Sequence, residues 1–195
     1  MAGSIITLGY GNRSLQELID LLGRESIQYL VDVRTSPRSR FKPEFSAEPL
    51  DVGLRAAGIR YVFMGDTLGG RPPDPECYQD GHVVYGIVRE KPFFKAGIER
   101  LLTALKQDLK VCLLCSEGRP ADCHRSKLIG AALDVIGVPV DHLGTDGERV
   151  SQSEVIASLE SPQGDLFGQS LRSRKSYGAK TMAAGSYKHV RNGDA

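Results

Sequence analysis

Hydrophobic residues in this chain occur in two patterns that alternate along its length. Short continuous apolar runs predict five strands, at residues 4–8, 29–33, 59–64, 110–114 and 138–143. Between them, apolar residues three or four positions apart predict helices, at about residues 14–23, 49–57, 92 onward, 122–136 and 151–159. Strands that alternate with helices predict an α/β three-layer sandwich with a mostly parallel sheet of about five strands.

Local signals mark the ends and positions of these elements. Ser14 and Glu17 have the spacing of a capping box, and so do Ser151 and Glu154. Pro139 lies inside the fifth predicted strand and favours an edge position, because proline has no N–H to donate to a neighbouring strand. Residues 65–91 have no clean period. A loop of that length in a compact domain is either functional or conceals an unrecognised element.

Composition and charge are those of an ordinary globular domain with a basic end. Hydrophobic residues make up 41% of the chain and charged residues 25%, which excludes disorder throughout. We predict an α/β domain over residues 1–160 and a flexible tail over 161–195, which is basic because residues 171–195 hold six Lys and Arg against one Asp. No apolar run approaches the roughly 18 residues of a membrane span, so we expect no membrane partner and a cytoplasmic location.

Polar clusters follow each of the five predicted strands, and the carboxyl ends of parallel strands meet at one edge of a sheet, where ligands bind. The clusters are at residues 9–13, 32–42, 65–71, 115–125 and 142. Arginine predominates in them, and its planar guanidinium suits phosphate or carboxylate, so we predict an anionic, phosphate-bearing ligand. The arginines are Arg13, Arg34, Arg38, Arg40, Arg71, Arg119 and Arg125. The alternative is that several form structural ion pairs with nearby carboxylates such as Asp32 and Asp122.

The richest cluster, residues 115–125, contains the candidate catalytic residues Cys115, Glu117 and His124. Cys115 ends a strand just before a helix, where N–H dipoles and arginines would lower its pKa and favour a nucleophilic thiolate. Cys123 and His124 would then provide a second thiol and a general acid or base. The alternative is that the thiols are buried for packing and the histidine caps the helix.

A metal site is a third interpretation, through Cys115, Cys123, His124 and His142. Zinc sites usually open with ligands two to four residues apart, whereas seven residues separate Cys115 from Cys123, so we predict no metal. Residues 9–11 lack the third glycine of a dinucleotide-binding loop and no phosphate-binding P-loop occurs, so no cofactor is expected.

The combined motifs resemble a bacterial and archaeal family called domain of unknown function 488. They are Thr7-x-Gly9 with Asn12-Arg13, Asp32-Val33-Arg34 with Pro37-x-Ser39-Arg40, Leu68-Gly69-Gly70, and Leu114-Cys115-x-Glu117 with Cys123-His124-Arg125. The resemblance covers roughly residues 4–145 and implies an α/β fold, but no established reaction. It also implies that the family's characteristic surface includes Asn12, Arg13, Asp32, Arg34, Arg40, Cys115, Glu117, Cys123, His124 and Arg125.

The tail contains a peptide that resembles the Gln-x-x-Leu-Phe motif with which bacterial DNA-repair and replication proteins bind the sliding clamp. Its matching residues are Gln163, Leu166 and Phe167. The sequence therefore supports two hypotheses. The first is an enzyme that acts on a phosphate-bearing or nucleic-acid substrate with Cys115 as nucleophile. The second is a non-catalytic, DNA-repair-associated module that docks on a sliding clamp through its tail.

Overall fold

A computed structural model describes residues 3–159 and 172–177 of the chain. Its strands are β1 (Ile5–Gly9), β2 (Tyr29–Asp32), β3 (Arg60–Phe63), β4 (Tyr78–Gln79), β5 (His82–Val83), β6 (Val111–Cys115), β7 (Val140–Leu143) and β8 (Arg149–Ser151). Six of them form one sheet in the order β3-β2-β6-β1-β7-β8. All neighbours in this sheet are parallel except β8, which pairs antiparallel with β7. Strands β4 and β5 form a separate antiparallel hairpin.

Helices cover both faces of the sheet, and several of them are only one or two turns long. They are α1 (Leu15–Arg24), α2 (Ala47–Ala56), α3 (Gly65–Leu68), α4 (Tyr85–Glu90), α5 (Pro92–Lys106), α6 (Ala131–Val135) and α7 (Gln152–Leu159). Three 3₁₀ turns lie at Pro43–Phe45, Pro75–Cys77 and Pro120–Asp122. A π-helical turn, Arg125–Gly130, runs directly into α6.

Two apolar clusters, one on each face of the sheet, make the three-layer α/β sandwich predicted from the sequence. Leu18 of α1 and Leu54 of α2 belong to one cluster, and Phe94 of α5 belongs to the other. Strand β6 contributes to both, because successive strand side chains point to opposite faces: Cys112 joins the first cluster and Cys115 the second. This placement puts the Cys115 side chain on the face covered by α4 and α5.

Two local predictions are confirmed and one is wrong. Ser14 and Glu17 form the expected capping box. Ser151 and Glu154 form the second one: the backbone N–H of Ser151 donates to the Glu154 carboxylate, and the backbone N–H of Glu154 donates to the Ser151 hydroxyl. The edge position predicted for the fifth strand is wrong: β7 lies between β1 and β8. Pro139 precedes β7 and its carbonyl accepts a bond from Ile5 N (2.9 Å), so the proline removes no donor from the ladder.

The region without a clean period, residues 65–91, contains α3, the β4–β5 hairpin and α4. Each of these elements is too short to produce a recognisable pattern. Residues 172–177, from the predicted tail, lie against this hairpin: Ser173 N donates to Val83 O (3.0 Å) and Tyr177 N donates to Gly81 O (2.7 Å). None of the helices in the described part of the chain is both long and apolar enough to cross a membrane.

Candidate functional site

A pocket of about 380 Å³ lies at the carboxyl edge of the sheet, where β1, β2 and β6 end. Its walls come from the loops after these three strands, from the start of the π-helical turn, from α4 and from residues 172–177. Cys115, the last residue of β6, lies at the pocket and its side chain is 4% exposed. Four of the five clusters predicted to meet at one edge, those at residues 9–13, 32–42, 65–71 and 115–125, contribute residues to this pocket, whereas His142 does not.

Cys115, Cys123 and His124 form a compact cluster in this pocket. Nδ1 of His124 lies 3.7 Å from Cys115 Sγ and 3.8 Å from Cys123 Sγ. Nε2 of the same ring lies 3.0 Å from the carbonyl oxygen of Val33. A carbonyl can only accept, so Nε2 carries a hydrogen and Nδ1 is the nitrogen available to the two sulfur atoms. The ring is therefore oriented to take a proton from Cys115.

The same contacts set the charges of the cluster. A hydrogen bond from the Cys123 thiol lowers the pKa of Cys115 most, and although burial opposes it, the nearby His124 charge helps to hold the pKa well below its ordinary value. Burial and the neighbouring Cys115 raise the pKa of Cys123 well above its ordinary value. Burial alone would lower the pKa of His124, but the Cys115 thiolate outweighs it and the pKa is raised. The favoured state is a Cys115 thiolate beside a His124 imidazolium.

Arg125 fixes the loop that follows Cys115. Its side chain is fully buried, and the guanidinium donates to the carbonyl oxygens of Glu117 and Gly118, the latter at 2.8 Å. Gly9 makes room for this arrangement, since a Cβ at position 9 would lie 1.7 Å from the Glu117 carbonyl oxygen. The loop after β6 can therefore approach β1 only where residue 9 has no side chain.

Arg34 reaches the pocket from the end of β2 as part of a buried ion pair with Asp32. Arg34 Nε donates to Asp32 Oδ1 (2.8 Å) and Nη2 to Oδ2 (2.5 Å), and Tyr61 donates its hydroxyl to Oδ2 (2.8 Å). Burial alone would lower the pKa of Arg34, but the Asp32 carboxylate raises it above its ordinary value. Nη2 also donates to Phe45 O (2.8 Å). Nη1 is buried and has no hydrogen-bond partner among the described residues.

An arginine that is 6% exposed, lines a pocket and keeps one donor unpaired is prepared for a ligand that can accept a hydrogen bond. Further cations border the same pocket: Arg38, Arg71, Arg174 and Lys175. Thr35 Oγ1 accepts a bond from Arg71 N (3.0 Å) and so holds the backbone from which that side chain extends.

The structure brings six of the predicted site residues to this pocket, namely Arg34, Arg71, Cys115, Glu117, Cys123 and His124. Asp32 and Arg125 are buried next to it, where they hold Arg34 and the loop after β6. Asn12 and Arg13 line a neighbouring groove that Glu117 also borders. Arg13 donates there to the carbonyl oxygens of Gly9 and Gly144. Arg40 is exposed and lines neither.

Several pocket residues were not predicted from the sequence. Three of them are the aromatic residues Tyr10, Tyr85 and Tyr177, and three belong to the tail segment, namely Ser173, Lys175 and the same Tyr177. The basic composition of the tail was the available signal for Lys175 and its neighbour Arg174. Tyr10 lies within the cluster expected at residues 9–13, whereas nothing in the sequence pattern identified Tyr85 or Tyr177.

The cluster of Cys115, Cys123 and His124 could also hold a thiophilic metal ion, since its three donor atoms lie within 4.8 Å of one another. The fourth ligand considered from the sequence, His142, lies elsewhere. It is fully buried between Thr7 Oγ1 and Gln152 Oε1, each 2.6 Å from a ring nitrogen. The sliding-clamp peptide at Gln163, Leu166 and Phe167 lies outside the described residues.

The sequence was also compared with known proteins. A family model described as "Domain of unknown function DUF488" matches residues 14–132, which include β2, β3, β6 and the loop with Cys115, Cys123 and His124. No curated protein and no solved structure is similar enough to the chain to count as a match.

Proposed function

Since the chain belongs to the DUF488 family, whose description assigns no reaction, we propose from its pocket alone that it is an enzyme that hydrolyses a phosphate-bearing substrate through a Cys115 thiolate. The observation that supports this proposal is that one pocket contains a thiol paired with an imidazole and a buried arginine with an unpaired donor. The first provides a nucleophile, and the second provides a contact for an anion.

The chemical step follows from these roles. His124 Nδ1 takes the proton of Cys115, and the resulting imidazolium stabilises the thiolate. The phosphate group accepts hydrogen bonds from Arg34 Nη1 and from the other cations of the pocket, which places its phosphorus at the sulfur. The sulfur forms a bond to phosphorus while the ester oxygen leaves and takes a proton from water. A second water molecule then attacks the phosphorus, the S–P bond breaks, and its surplus proton returns to solvent.

Two predicted site residues act indirectly in this scheme. Arg125 positions the loop that follows Cys115, because both of its bonded nitrogens donate to that loop. Asp32 positions Arg34 by a two-point ion pair. The carboxylate of Glu117 borders the pocket and lies 3.7 Å from Arg174, so its part in this scheme is to attract that cation to the pocket.

The proposal is tested with Cys115→Ser, using p-nitrophenyl phosphate and a 5′-phosphorylated oligonucleotide as substrates. We expect phosphate release to fall about 10³-fold or more, with the unfolding midpoint in urea nearly unchanged. Cys112→Ala is the matched control, because Cys112 is a buried thiol on the opposite face of the same strand. Equal activity in the two variants would overturn the proposal.

Metal analysis decides between the thiolate and a metal centre at the same cluster. The proposal expects the purified protein to contain less than stoichiometric zinc and its Cys115 to react with iodoacetamide without a chelator. Stoichiometric zinc, together with alkylation of Cys115 only after chelation, would instead assign the three residues to a metal.

We also propose, as the alternative function, a non-catalytic DNA-repair module that binds a sliding clamp through Gln163, Leu166 and Phe167. A pocket rich in arginine suits a nucleic-acid phosphate without any reaction. Clamp binding that is removed by Leu166→Ala and Phe167→Ala, with no phosphate release from any substrate, would favour this module. Clamp binding unaffected by both changes would exclude it.

A further inference from the structure

Residues 172–177 border the pocket on the side that faces the loop after β6. We propose, building on the proposed function, that this segment is part of the ligand site and that Arg174 and Lys175 select a doubly charged phosphate monoester over a singly charged diester. The proposal assigns to the basic tail a role in binding the substrate of the same pocket.

The segment is held in place by its own hydrogen bonds. Ser173 is 5% exposed, and its Oγ accepts a bond from Val83 N (2.9 Å) and donates to Lys175 O (2.9 Å). The backbone oxygen of Ser173 lies 2.9 Å from His82 Nδ1. Arg172 pairs with Val84 as an antiparallel bridge. The segment therefore extends the β4–β5 hairpin by one strand-like stretch, and this fixes where residues 174 and 175 emerge.

The side chains at these two positions, Arg174 and Lys175, are cations that line the pocket. Arg174 lies 3.7 Å from Glu117 and 3.8 Å from Asp122. Both distances exceed a normal hydrogen bond, so these two carboxylates attract the guanidinium to the rim of the pocket without accepting hydrogen bonds from it. Arg71, from the loop after α3, lies over the ring of Tyr177 at 5.2 Å, and this contact joins the segment to that loop.

The charges around the pocket fit a dianion. Within the described residues five cations line it, namely Arg34, Arg38, Arg71, Arg174 and Lys175. Glu117 and Asp122 line it as well, and Asp32 neutralises Arg34 from behind. The thiolate and imidazolium of Cys115 and His124 cancel each other. Counted over these groups, and without Arg125, whose guanidinium is bonded to the carbonyls of Glu117 and Gly118, cations exceed anions by two. This excess matches a phosphate monoester, whereas a diester carries a single charge.

Without Arg174 and Lys175 this excess would be zero. The selectivity for a dianion therefore depends on residues that are distant in sequence from the catalytic loop and reach it only when the segment is docked. By linkage, an anion held partly by these residues also stabilises the docked segment.

Calorimetry on the full chain tests the proposal, in a Cys115→Ser background so that the ligands are not consumed. The ligands are phenyl phosphate, a dianion, and methyl phenyl phosphate, a monoanion of similar shape. We expect the double variant Arg174→Gln, Lys175→Gln to weaken phenyl phosphate binding about tenfold and methyl phenyl phosphate binding much less. Arg172→Gln is the matched control, because Arg172 bonds to Gln79 (3.3 Å) and does not line the pocket.

A second variant, Ser173→Ala, removes the docking bond while every charge is kept. We expect it also to weaken phenyl phosphate binding, because Arg174 and Lys175 are then no longer held at the pocket. If the double variant loses no more affinity than Arg172→Gln, the proposal is overturned, whereas the proposed function stands as long as phenyl phosphate still binds the parent protein. If neither ligand binds the parent protein, both are overturned.

Discussion

Gly70 lies directly against the imidazole of His124, and a Cβ atom at position 70 would be 2.7 Å from its Cγ and 2.9 Å from its Nδ1. Gly70→Ala should therefore push the ring away from Cys115 and weaken the thiolate. We expect the pH profile of Cys115 alkylation by iodoacetamide to move up by about one pH unit, so that alkylation slows at pH values below the shifted pKa. Gly86→Ala is the control, because nothing lies within 4 Å of a Cβ there. Equal alkylation rates in the two variants would show that the contact does not position His124.

The pKa shifts predict which cysteine reacts and over what pH range. The pKa of Cys115 is lowered, first by the Cys123 hydrogen bond, whereas burial raises the pKa of Cys77 to about 11 and also raises that of Cys112. In the native protein, Cys115 should react with iodoacetamide in preference to the other thiols, and its rate should stay nearly constant as the pH falls from 9 to 7. Peptide mapping by mass spectrometry measures each site.

His124→Gln should move the Cys115 profile to higher pH, because the imidazolium charge that lowers its pKa is removed. A profile that stays in place would contradict the assignment of His124. Labelling of all four cysteines at equal rates, and only after denaturation, would contradict a reactive thiolate at Cys115.

Asp32→Asn should destabilise the fold strongly. The substitution leaves the guanidinium of Arg34, 6% exposed, without its counter-charge, and breaking a buried ion pair from one side costs roughly 3–5 kcal/mol. Urea unfolding of the full chain measures the change. The exposed pair of Arg55 and Asp51 provides the comparison: Asp51→Asn should cost less than about 1 kcal/mol. A similar cost for the two substitutions would mean that the Arg34 site is hydrated rather than buried.

His142 should make the protein less stable in mild acid. Burial lowers the pKa of its ring to about 4 in the folded chain, and the nearby Arg125 charge acts in the same direction. The unfolded chain has an ordinary pKa near 6.5, so between pH 6.5 and 4 it binds a proton that the folded chain does not. The free energy of unfolding should therefore decrease by about 3 kcal/mol as the pH falls from 6.5 to 4, and above pH 6.5 none of it should be lost through His142. His142→Gln should lack this loss, so the free energies of unfolding of the two proteins should differ by an amount that changes between pH 6.5 and 4; a constant difference would refute the prediction.

The main elements could be predicted because their signals are local. The apolar runs of β1, β2 and β6 and the capping boxes at Ser14 and Ser151 depend on residues within a few positions of one another. Strand β8, at Arg149–Ser151, has three residues and no apolar run, so its presence outside β7 was not visible in the sequence.

The sequence indicated where the candidate pocket would lie, but only some of the residues that line it. Its arginines were expected either to face an anion or to form structural ion pairs. In the structure Arg13 and Arg125 donate to carbonyl oxygens of neighbouring loops, whereas Arg34 pairs with Asp32 and keeps one buried donor without a partner among the described residues. Whether a guanidinium meets a carbonyl or a pocket depends on the path of a loop, and residue types do not encode that path locally. The approach of Tyr177 to Arg71 is likewise a long-range contact.

The buried Arg125 also bears on the order in which the molecule assembles. Its bonds to Glu117 and Gly118 join the start of a helix to a loop eight and seven residues earlier, and they form only when that helix lies on the sheet beside Gly9. The loop next to Cys115 should therefore become ordered after the core, and substitutions of Arg125 should accelerate unfolding more than they slow folding. Alkylation kinetics of Cys115 during refolding would then report the last step of folding rather than the first.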